Sequence, residues 1–339
     1  MTNILETLIF ASEIAARVAR SCCTGNDSIL VAEKSTDANP RFHKDFKTIA
    51  DVLAQEAAKT FIISRIPELE THVRGEECSE IGGITISLKD TLESTTNLLK
   101  TILPDKTAQC MAAAAHSNIE NMTCETLPNV SHINCSDLGI WIDPIDGTAE
   151  FIAGVRGEAK PGHGLQCVTV LIGAYKRSTG EPVVGVINQP FYEGGKGRIV
   201  WGINYDDTKL CSHEKVISKR KIILISSAEN QDIINKFKML GWEIQSVPGA
   251  GNKLLQVALG QATAYIVSKG TTFRWDICGP HSILSSLGGD IQSFADFSPV
   301  KYNDPKDLDT QEYCNSLGII AFSDLHIFKE IQGVIKDIS

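Results

Sequence analysis

The sequence predicts a mixed α/β protein in which helices are layered on sheets. Two observations lead to this prediction. Apolar runs with the length and composition of buried strands occupy residues 138–143, 165–175 and 183–188. The last third of the chain alternates such runs with segments of helical length. Because 339 residues with 42% hydrophobic content can fill one large core or two joined cores, we expect a single domain over 1–339 made of two packed lobes, about 1–190 and 191–339.

The first predicted elements are two helices. Asn3 can cap a helix at the start of the chain, and a second helix is expected from near Thr48 to about Ile63. The run ITISL at 84–88 predicts a strand. Residues 89–136 are rich in Thr, Asn and Ser, and we interpret them as helix and loop.

The remaining predicted elements alternate. Thr179-Gly180 marks the turn between the strands at 165–175 and 183–188. Beyond these strands the predicted order is a strand at 221–227, a helix at 229–240, a strand at 242–247, a helix after a glycine-rich turn, a strand at 263–268, a helix at 276–287, strands at 290–294 and 317–322, and a final helix.

Composition and charge exclude several classes of partner. The chain has 32 basic and 41 acidic residues, a formal charge of -9, and no basic stripe. We therefore expect no nucleic-acid polymer and no anionic membrane as a partner. No apolar run approaches the roughly 18 residues of a membrane span. An acidic chain can bind cations, or bind anions through cations, and composition does not choose between these.

The ten cysteines do not form a disulfide framework by their spacing, since CxxC pairs are missing from the sequence. The N-terminal residues have neither a basic start nor a cleavage-like end, so they do not resemble a secretory signal. These two features predict a cytoplasmic protein with reduced, mostly buried thiols.

The most informative local pattern is the run Trp141-Ile-Asp143-Pro-Ile-Asp146-Gly147-Thr148. An apolar strand ends in two carboxylates, with a proline between them that stiffens the turn. Carboxylates at the end of a strand can hold hard divalent cations. Gly147 and Thr148 then open a predicted helix, whose free N–H groups can bind a phosphate. On these two aspartates alone, ordinary turn formers and helix caps remain the simpler interpretation.

Other acidic residues also lie at element boundaries. Glu76-Glu77 stand between a predicted helix and strand, Asp276 follows Trp275 at a helix start, and Asp51 lies three residues after Thr48. Each has an alternative as a solvated loop, a cap or a capping box. Four acidic sites that all lie at element boundaries are harder to explain as separate caps and loops, and together they favour a shared functional site.

A glycine-rich segment adds a weaker signal. Gly249-Ala250-Gly251-Asn252-Lys253 follows a strand and opens a helix, but it has neither the Walker spacing nor the GxGxxG pattern. A phosphate-binding loop and a tight turn both remain open.

Taken together, these motifs resemble the magnesium-dependent, lithium-sensitive phosphatases of the inositol monophosphatase superfamily. The shared signature of that family is G-E-E, then D-P-[IL]-D-[GS]-T, then W-D, and all three parts occur here in order. The resemblance covers nearly the whole chain and is weakest over 100–136. Four stretches are similar to inositol polyphosphate 1-phosphatases: Asp45–Leu53, Gly164–Gly173, Gly185–Phe191 and Thr271–Asp276. Asp146–Phe151 and Gly249–Lys253 are as similar to 3′(2′),5′-bisphosphate nucleotidases.

The resemblance implies a layered αβαβα sandwich of the sugar-phosphatase superfamily and a role for each motif residue. Glu76, Asp143 and the carbonyl of Ile145 would hold one Mg²⁺ ion, and Asp143, Asp146 and Asp276 a second. Glu77 would support a third. Asp51 and Thr148 would activate the attacking water, and Gly147 and Thr148 would offer N–H groups to the phosphate. Gly249, Ala250, Gly251 and Lys253 would face the rest of the substrate, with Lys253 near its second phosphate, and Asp276 would also contact the substrate.

The implied activity is hydrolysis of a small bisphosphate or polyphosphate. The expected substrates are inositol 1,4-bisphosphate and inositol 1,3,4-trisphosphate, which would lose the 1-phosphate, and Li⁺ would inhibit. The alternative is a bisphosphate nucleotidase that acts on 3′-phosphoadenosine 5′-phosphate, and one pocket could serve both substrates. A silent protein that binds inositol phosphates or cations is a more distant alternative. A monomer and a homodimer both remain open.

Overall fold

The computed structural model describes residues 3–23, 31–33, 46–119, 127–218, 220–226, 228–303 and 313–337. Residue 45, which begins the stretch Asp45–Leu53, lies outside these ranges. None of the helices within them is long and apolar enough to cross a membrane.

The first half of the described chain is mainly helical before it enters a sheet. In chain order its elements are α1 (Ile4–Ser21), β1 (Val31–Glu33), β2 (Phe46–Thr48), α2 (Ile49–Arg65), β3 (Val73–Gly75), β4 (Glu80–Ile81), β5 (Ile84–Thr85), α3 (Leu92–Leu99), α4 (Asp105–Ala115), β6 (Leu138–Asp146) and α5 (Thr148–Val155). Asn3 caps α1 by accepting from Glu6 N, and Thr48 begins α2 with a capping box. The two predicted helices are confirmed.

The second half consists of antiparallel strands followed by alternating strands and helices. Its elements are β7 (Thr169–Lys176), β8 (Pro182–Gln189), β9 (Arg198–Tyr205), β10 (Thr208–Cys211), β11 (Ile222–Ile225), α6 (Gln231–Met239), β12 (Glu243–Ser246), α7 (Ala250–Ala258), β13 (Ala264–Val267), α8 (Arg274–Ser286), β14 (Asp290–Ser293), β15 (Ile319–Phe322) and α9 (Leu325–Lys336). Every element predicted after residue 220 is present, and the ends for which bounds were predicted differ by at most two residues.

The strands form two principal sheets. The six-stranded sheet has the order β10-β9-β8-β7-β6-β3 and is antiparallel except for the β3–β6 pair. The five-stranded sheet has the order β12-β11-β13-β15-β14, with β11 parallel to both of its neighbours. The six-stranded sheet continues past residue 190, and the two-lobe division at that position stays a prediction.

Helices and sheets alternate in five layers. Helices α1 and α2 pack on one face of the six-stranded sheet, and α8 packs on β7, β8 and β9 with α7 beside it. The second sheet separates α7 and α8 from α6 and α9, because alternate residues of its strands belong to different apolar clusters: Leu224 faces the middle helices, whereas Ile223 and Ile225 face the outer pair. This arrangement confirms the expected αβαβα sandwich.

A line of glycines lets α8 approach the six-stranded sheet closely. Gly173, Gly185 and Gly202 are direct neighbours across β7, β8 and β9. A Cβ atom would lie 1.9 Å from Gly279 O if built on Gly185, and 2.6 Å from Ile283 Cα if built on Gly202. The helix that carries Asp276 is therefore fixed against the sheet that carries Asp143 and Asp146.

Three sequence predictions differ from the structure. The strand predicted at 84–88 is limited to Ile84–Thr85, because its partner β4 has only two residues. Gly82 and Gly83, both at positive φ, close the hairpin between them. Leu165–Cys167 form a 3-10 helix before β7 begins at Thr169. The prediction also missed β9 and β10, which are joined at Asp206, a residue with φ of 49°.

Candidate active site

Three buried carboxylates meet where β6 ends and α8 begins. One oxygen each from Asp143, Asp146 and Asp276 lies within 4.8 Å of the others, and this acidic cluster could hold a metal ion. Burial raises the pKa of Asp143 well above its usual range, and the charges of Glu76, Asp146 and Asp276 raise it further. Burial also raises the pKa of Asp276. So many carboxylates in one place favour a multivalent cation.

An irregularity in β6 brings two of these carboxylates together. In a regular strand, residues three apart point to opposite faces. The pairing of β6 with β7 shifts register between Asp143 and Asp146, with Pro144 at the shift. Asp143 Oδ1 accepts a hydrogen bond of 3.1 Å from Ile145 N, which fixes the turned segment. Both side chains therefore face one cavity.

The acidic cluster opens into a cavity of about 290 Å³. Many residues singled out in the sequence line it: Glu76, Asp143, Ile145, Asp146, Gly147, Thr148, Ala250, Lys253 and Asp276. The other lining residues are Ala149, Ser226, Tyr265, Thr271, Thr272, Phe273 and Trp275. Three motifs that are distant in sequence thus meet in one place.

Asp51 lies beside this cavity, buried at the first turn of α2. Its Oδ2 accepts from Thr48 N at 2.7 Å, and its Oδ1 accepts from Thr148 Oγ1 at 3.2 Å. Thr148 Oγ1 also lies 3.3 Å from the carbonyl of Ile145. The capping box and the predicted Asp51–Thr148 pair are therefore both present, and each uses a different oxygen of Asp51.

Gly147 connects β6 to α5 in the left-handed region, with φ of 86° and ψ of 43°. A Cβ at this position would meet nothing closer than 3.9 Å, so the backbone angle and not space favours glycine. Gly147, Thr148 and Ala149 line the cavity, so the start of α5 faces it, and an anion there would complement the helix dipole.

The start of α7 binds Asp146. The carboxylate of Asp146 accepts from Ala250 N at 3.2 Å, from Gly251 N at 2.9 Å and from Thr169 Oγ1 at 2.9 Å. Gly249 and Gly251 do not contribute to the cavity lining. The structure thus brings Ala250 and Lys253 to the cavity, but not these two glycines.

Lys253 is a buried cation on the cavity wall. Its Nζ donates to the carbonyl of Gly249 at 3.0 Å and lies 4.9 Å from the ring centre of Tyr265. Burial lowers its pKa, whereas the charges of Asp146 and Asp276 oppose that shift. Lys253 therefore compensates part of the negative charge of the acidic cluster.

Gln55 of α2 anchors the Glu76-Glu77 segment. Its side chain accepts from Glu77 N at 2.8 Å and donates to Glu77 O at 2.6 Å. Glu76 N donates to Ile142 O, which continues the pairing of β3 with β6. Glu76 lines the cavity, whereas Glu77 is buried and is not part of the lining.

The sequence analysis missed Gln55, Thr169 and the hydroxyl-bearing residues Ser226, Thr271 and Thr272. Gln55 and Thr169 act through hydrogen bonds that join distant elements, which no local pattern indicates. Ser226 follows β11, and Thr271 and Thr272 lie between β13 and α8. Their positions beyond the carboxyl ends of adjacent parallel strands are the one signal that would have indicated them.

Comparison with known sequences finds a family model and several relatives that match this chain. Residues 43–316 match the family model described as the inositol monophosphatase family. Inositol polyphosphate 1-phosphatase of Mus musculus is 36% identical over 329 residues, which cover 86% of this chain and 83% of the relative. The Homo sapiens protein of the same name has the same identity and coverage over 334 residues. The 3′(2′),5′-bisphosphate nucleotidase 1 of Mus musculus is 32% identical over 200 residues, covering 56% of this chain and 59% of the relative.

Solved structures share the fold. An inositol monophosphatase from Zymomonas mobilis superimposes with a TM-score of 0.56 at 15% identity, covering 98% of this chain and 97% of its own. An IMPase/NADP phosphatase complexed with Mg²⁺ and phosphate has a TM-score of 0.54 at 15% identity, covering 91% and 85%.

Proposed function

The chain belongs to the inositol monophosphatase family and is a phosphatase, and we propose that it removes the 1-phosphate of inositol 1,4-bisphosphate and inositol 1,3,4-trisphosphate. The observation that carries this proposal is the extent of similarity. The inositol polyphosphate 1-phosphatase relatives match 86% of the chain, whereas the nucleotidase relative matches 56%.

The donor set of the cavity fits Mg²⁺. Carboxylate and carbonyl oxygens are the ligands that hard divalent cations prefer. In the proposed arrangement, Glu76, Asp143 and the carbonyl of Ile145 hold one ion, Asp143, Asp146 and Asp276 hold a second, and Glu77 supports a third. When bound, Mg²⁺ would supply Lewis-acid stabilisation of the phosphate and lower the pKa of a bound water. Li⁺ is proposed as an inhibitor.

The protein's own groups would orient and deprotonate the attacking water. Asp51 accepts a hydrogen bond from Thr148 Oγ1, so the hydroxyl proton points toward the carboxylate and an oxygen lone pair is left for a water proton. The water would pass its proton through the Thr148 hydroxyl to Asp51. The backbone N–H groups of Gly147 and Thr148 would bind the phosphate oxygens at the start of α5.

The lining of the cavity also supports an inositol substrate. Ser226 and Thr271 are partly exposed and supply hydroxyl groups that can bond to ring hydroxyls. The aromatic residues Phe273 and Trp275 stack on each other at 4.7 Å and are only 8% and 6% exposed. They therefore present little free ring surface to an adenine base.

The bisphosphate nucleotidase activity is the second candidate, alone or in addition. The stretches Asp146–Phe151 and Gly249–Lys253 and the nucleotidase relatives favour it. Lys253 is the candidate contact for a second phosphate in either substrate. Since the relatives of both kinds are enzymes by name, a silent binding protein has no support from the comparisons.

The experiment is phosphate release in Mg²⁺ from inositol 1,4-bisphosphate and from 3′-phosphoadenosine 5′-phosphate, compared by kcat/KM. We expect the inositol substrate to lead by about a hundredfold, which corresponds to about 2.7 kcal/mol of transition-state discrimination. Rates within about tenfold of each other would indicate dual activity. A lead for the adenosine substrate would overturn the proposal in favour of the nucleotidase.

A further inference from the structure

A second chemically reactive group lies outside the candidate active site, at the end of β10. Cys211 Sγ is 3.4 Å from His213 Nδ1. The other ring nitrogen, Nε2, is 3.0 Å from the carbonyl oxygen of Ala258. A carbonyl only accepts hydrogen bonds, so Nε2 carries a hydrogen and Nδ1 faces the sulfur. A nucleophile, a base and a group that orients the base are therefore in line.

The surroundings favour the charged form of this pair. Burial opposes ionisation of Cys211, but its hydrogen bonds with His213 and Ser286 and the charge on His213 lower its pKa overall. The contact with Cys211 raises the pKa of His213, against the opposing effects of burial and of Arg198. Three neighbouring groups lie near the pair: the Ser286 hydroxyl of α8, the Ala258 carbonyl of α7 and the Arg198 guanidinium of β9. None of these groups disfavours a thiolate.

Among the other described cysteines, Cys78 also has a lowered pKa, because its contact with Lys47 outweighs the effect of burial, whereas burial disfavours the thiolate of several others. Burial raises the pKa of Cys22 to about 12 and that of Cys23 to about 11. Burial also raises the pKa of Cys278 well above its usual range. Cys211 and His213 are both partly exposed. Neither residue lines the cavity of the acidic cluster.

We propose that Cys211 and His213 form a thiol–imidazole pair that makes Cys211 a site of S-thiolation by low-molecular-weight disulfides. The Cys211 thiol gives its proton to His213 Nδ1, and the thiolate attacks one sulfur of the disulfide. A new S–S bond forms to Cys211, the original S–S bond breaks, and the departing thiolate takes the proton from His213. The disulfide is the oxidant, and its second sulfur is reduced.

The test follows thiolation of the full chain by glutathione disulfide at several pH values. The reaction is quenched by alkylation, and each cysteine is quantified by peptide mass spectrometry. We expect Cys211 to be modified at least about tenfold faster than Cys23 at pH 6.5, with a rate that changes little between pH 6.5 and 8, because the thiolate is already formed.

The matched variant is His213→Gln. Its Cys211 should react about tenfold more slowly at pH 6.5 and should regain rate as pH rises. Cys78, whose sulfur lies 2.9 Å from Lys47 Nζ, is an internal control whose rate should not change. A Cys211 that reacts no faster than Cys23 in the unaltered chain would overturn the proposal. So would an unchanged rate and pH profile at Cys211 in His213→Gln.

Discussion

Thr148 Oγ1 donates a hydrogen bond of 3.2 Å to Asp51 Oδ1, although 97 residues of chain separate them. The other carboxylate oxygen of Asp51 accepts from Thr48 N at 2.7 Å as part of the capping box of α2. The cap therefore fixes the carboxylate that we propose as the base. The capping box that the sequence allowed for Asp51 is present, and its catalytic pairing with Thr148 stays a prediction.

We predict that Asp51→Asn lowers kcat by about a hundredfold or more, the typical contribution of a general base. The asparagine side chain has nearly the same volume, but it cannot accept the proton that passes through Thr148. Mg²⁺ binding measured by calorimetry should remain, since Asp51 is not part of the acidic cluster. Phosphate release under saturating substrate is the measurement.

Thr48→Ala is the control for the structural role of Asp51. It removes the hydroxyl that caps α2 and should cost about 1 kcal/mol of stability, while it leaves Thr148 in contact with Asp51. We expect its kcat to stay within about tenfold of the unaltered enzyme. If Thr48→Ala and Asp51→Asn lowered kcat equally, the capping role of Asp51 would be enough to explain its effect on activity, and no role as a base would be needed.

The acidic cluster leads to a second prediction, on thermal stability. Mg²⁺ at a hundred times its Kd should stabilise the protein by about 2.7 kcal/mol. Asp143→Asn should lose most of this gain, and excess Mg²⁺ should not restore its activity. Without Mg²⁺ the variant should melt above the unaltered protein, because it removes one of several buried like charges. Thermal melts of both proteins with and without Mg²⁺ measure these changes. If Mg²⁺ raised the melting temperature of Asp143→Asn as much as that of the unaltered protein, the proposed role of Asp143 would be contradicted.

Local patterns predicted much of the fold and the acidic residues. The helix caps at Asn3 and Thr48 and the alternation after residue 220 are local signals, and the structure confirms the elements they predicted. Asp143, Asp146 and Asp276 stand at element ends, where a sequence pattern can indicate them. Their meeting within 4.8 Å depends on tertiary packing.

The remaining features depend on contacts between distant elements. In the sequence alone, the glycines at 173, 185 and 202 do not indicate close packing of a helix. The strand register places them side by side under α8. In the sequence, Gln55 is an ordinary polar residue of a helix. Its role depends on the Glu76-Glu77 segment, which packs beside it only in the folded protein. The segment Gly249–Lys253 resembled a phosphate loop because its N–H groups are free locally, but two of them bind Asp146.

The glycine line under α8 gives a third prediction. Gly185→Ala should destabilise the protein by about 1–3 kcal/mol or more, because its Cβ would lie 1.9 Å from the carbonyl oxygen of Gly279 and neither backbone can move freely. Gly333→Ala in α9 is the matched control. Nothing lies within 4 Å of its Cβ position, so it should stabilise by about 0.5–1 kcal/mol. Urea unfolding measures both, and equal effects would refute the close approach of α8.

A fourth prediction concerns stability at acidic pH. Asp290 Oδ1 contacts His281 Nε2 at 2.5 Å and accepts from Ile291 N at 2.9 Å, and His281 Nδ1 is 2.8 Å from the Tyr302 hydroxyl. Burial tends to raise the pKa of Asp290, but the contacts with His281, Ile291 N–H and Gln292 outweigh it and hold the pKa below its usual range. The ionised carboxyl is therefore favoured in the folded state.

The direction of this pH effect follows from the linkage between proton binding and folding. A carboxyl whose pKa is lower in the folded state stabilises the protein above the unfolded pKa, and that stability is lost as pH falls through the folded pKa. Asp290→Asn should therefore be less stable than the unaltered protein at about pH 6, and the gap should close below about pH 4. His281→Gln should show a smaller loss on acidification, since Asp290 then has no imidazole partner. Urea unfolding between pH 6 and 3 is the measurement. A gap between Asp290→Asn and the unaltered protein that stays constant or widens on acidification would show that Asp290 is not stabilised as a carboxylate.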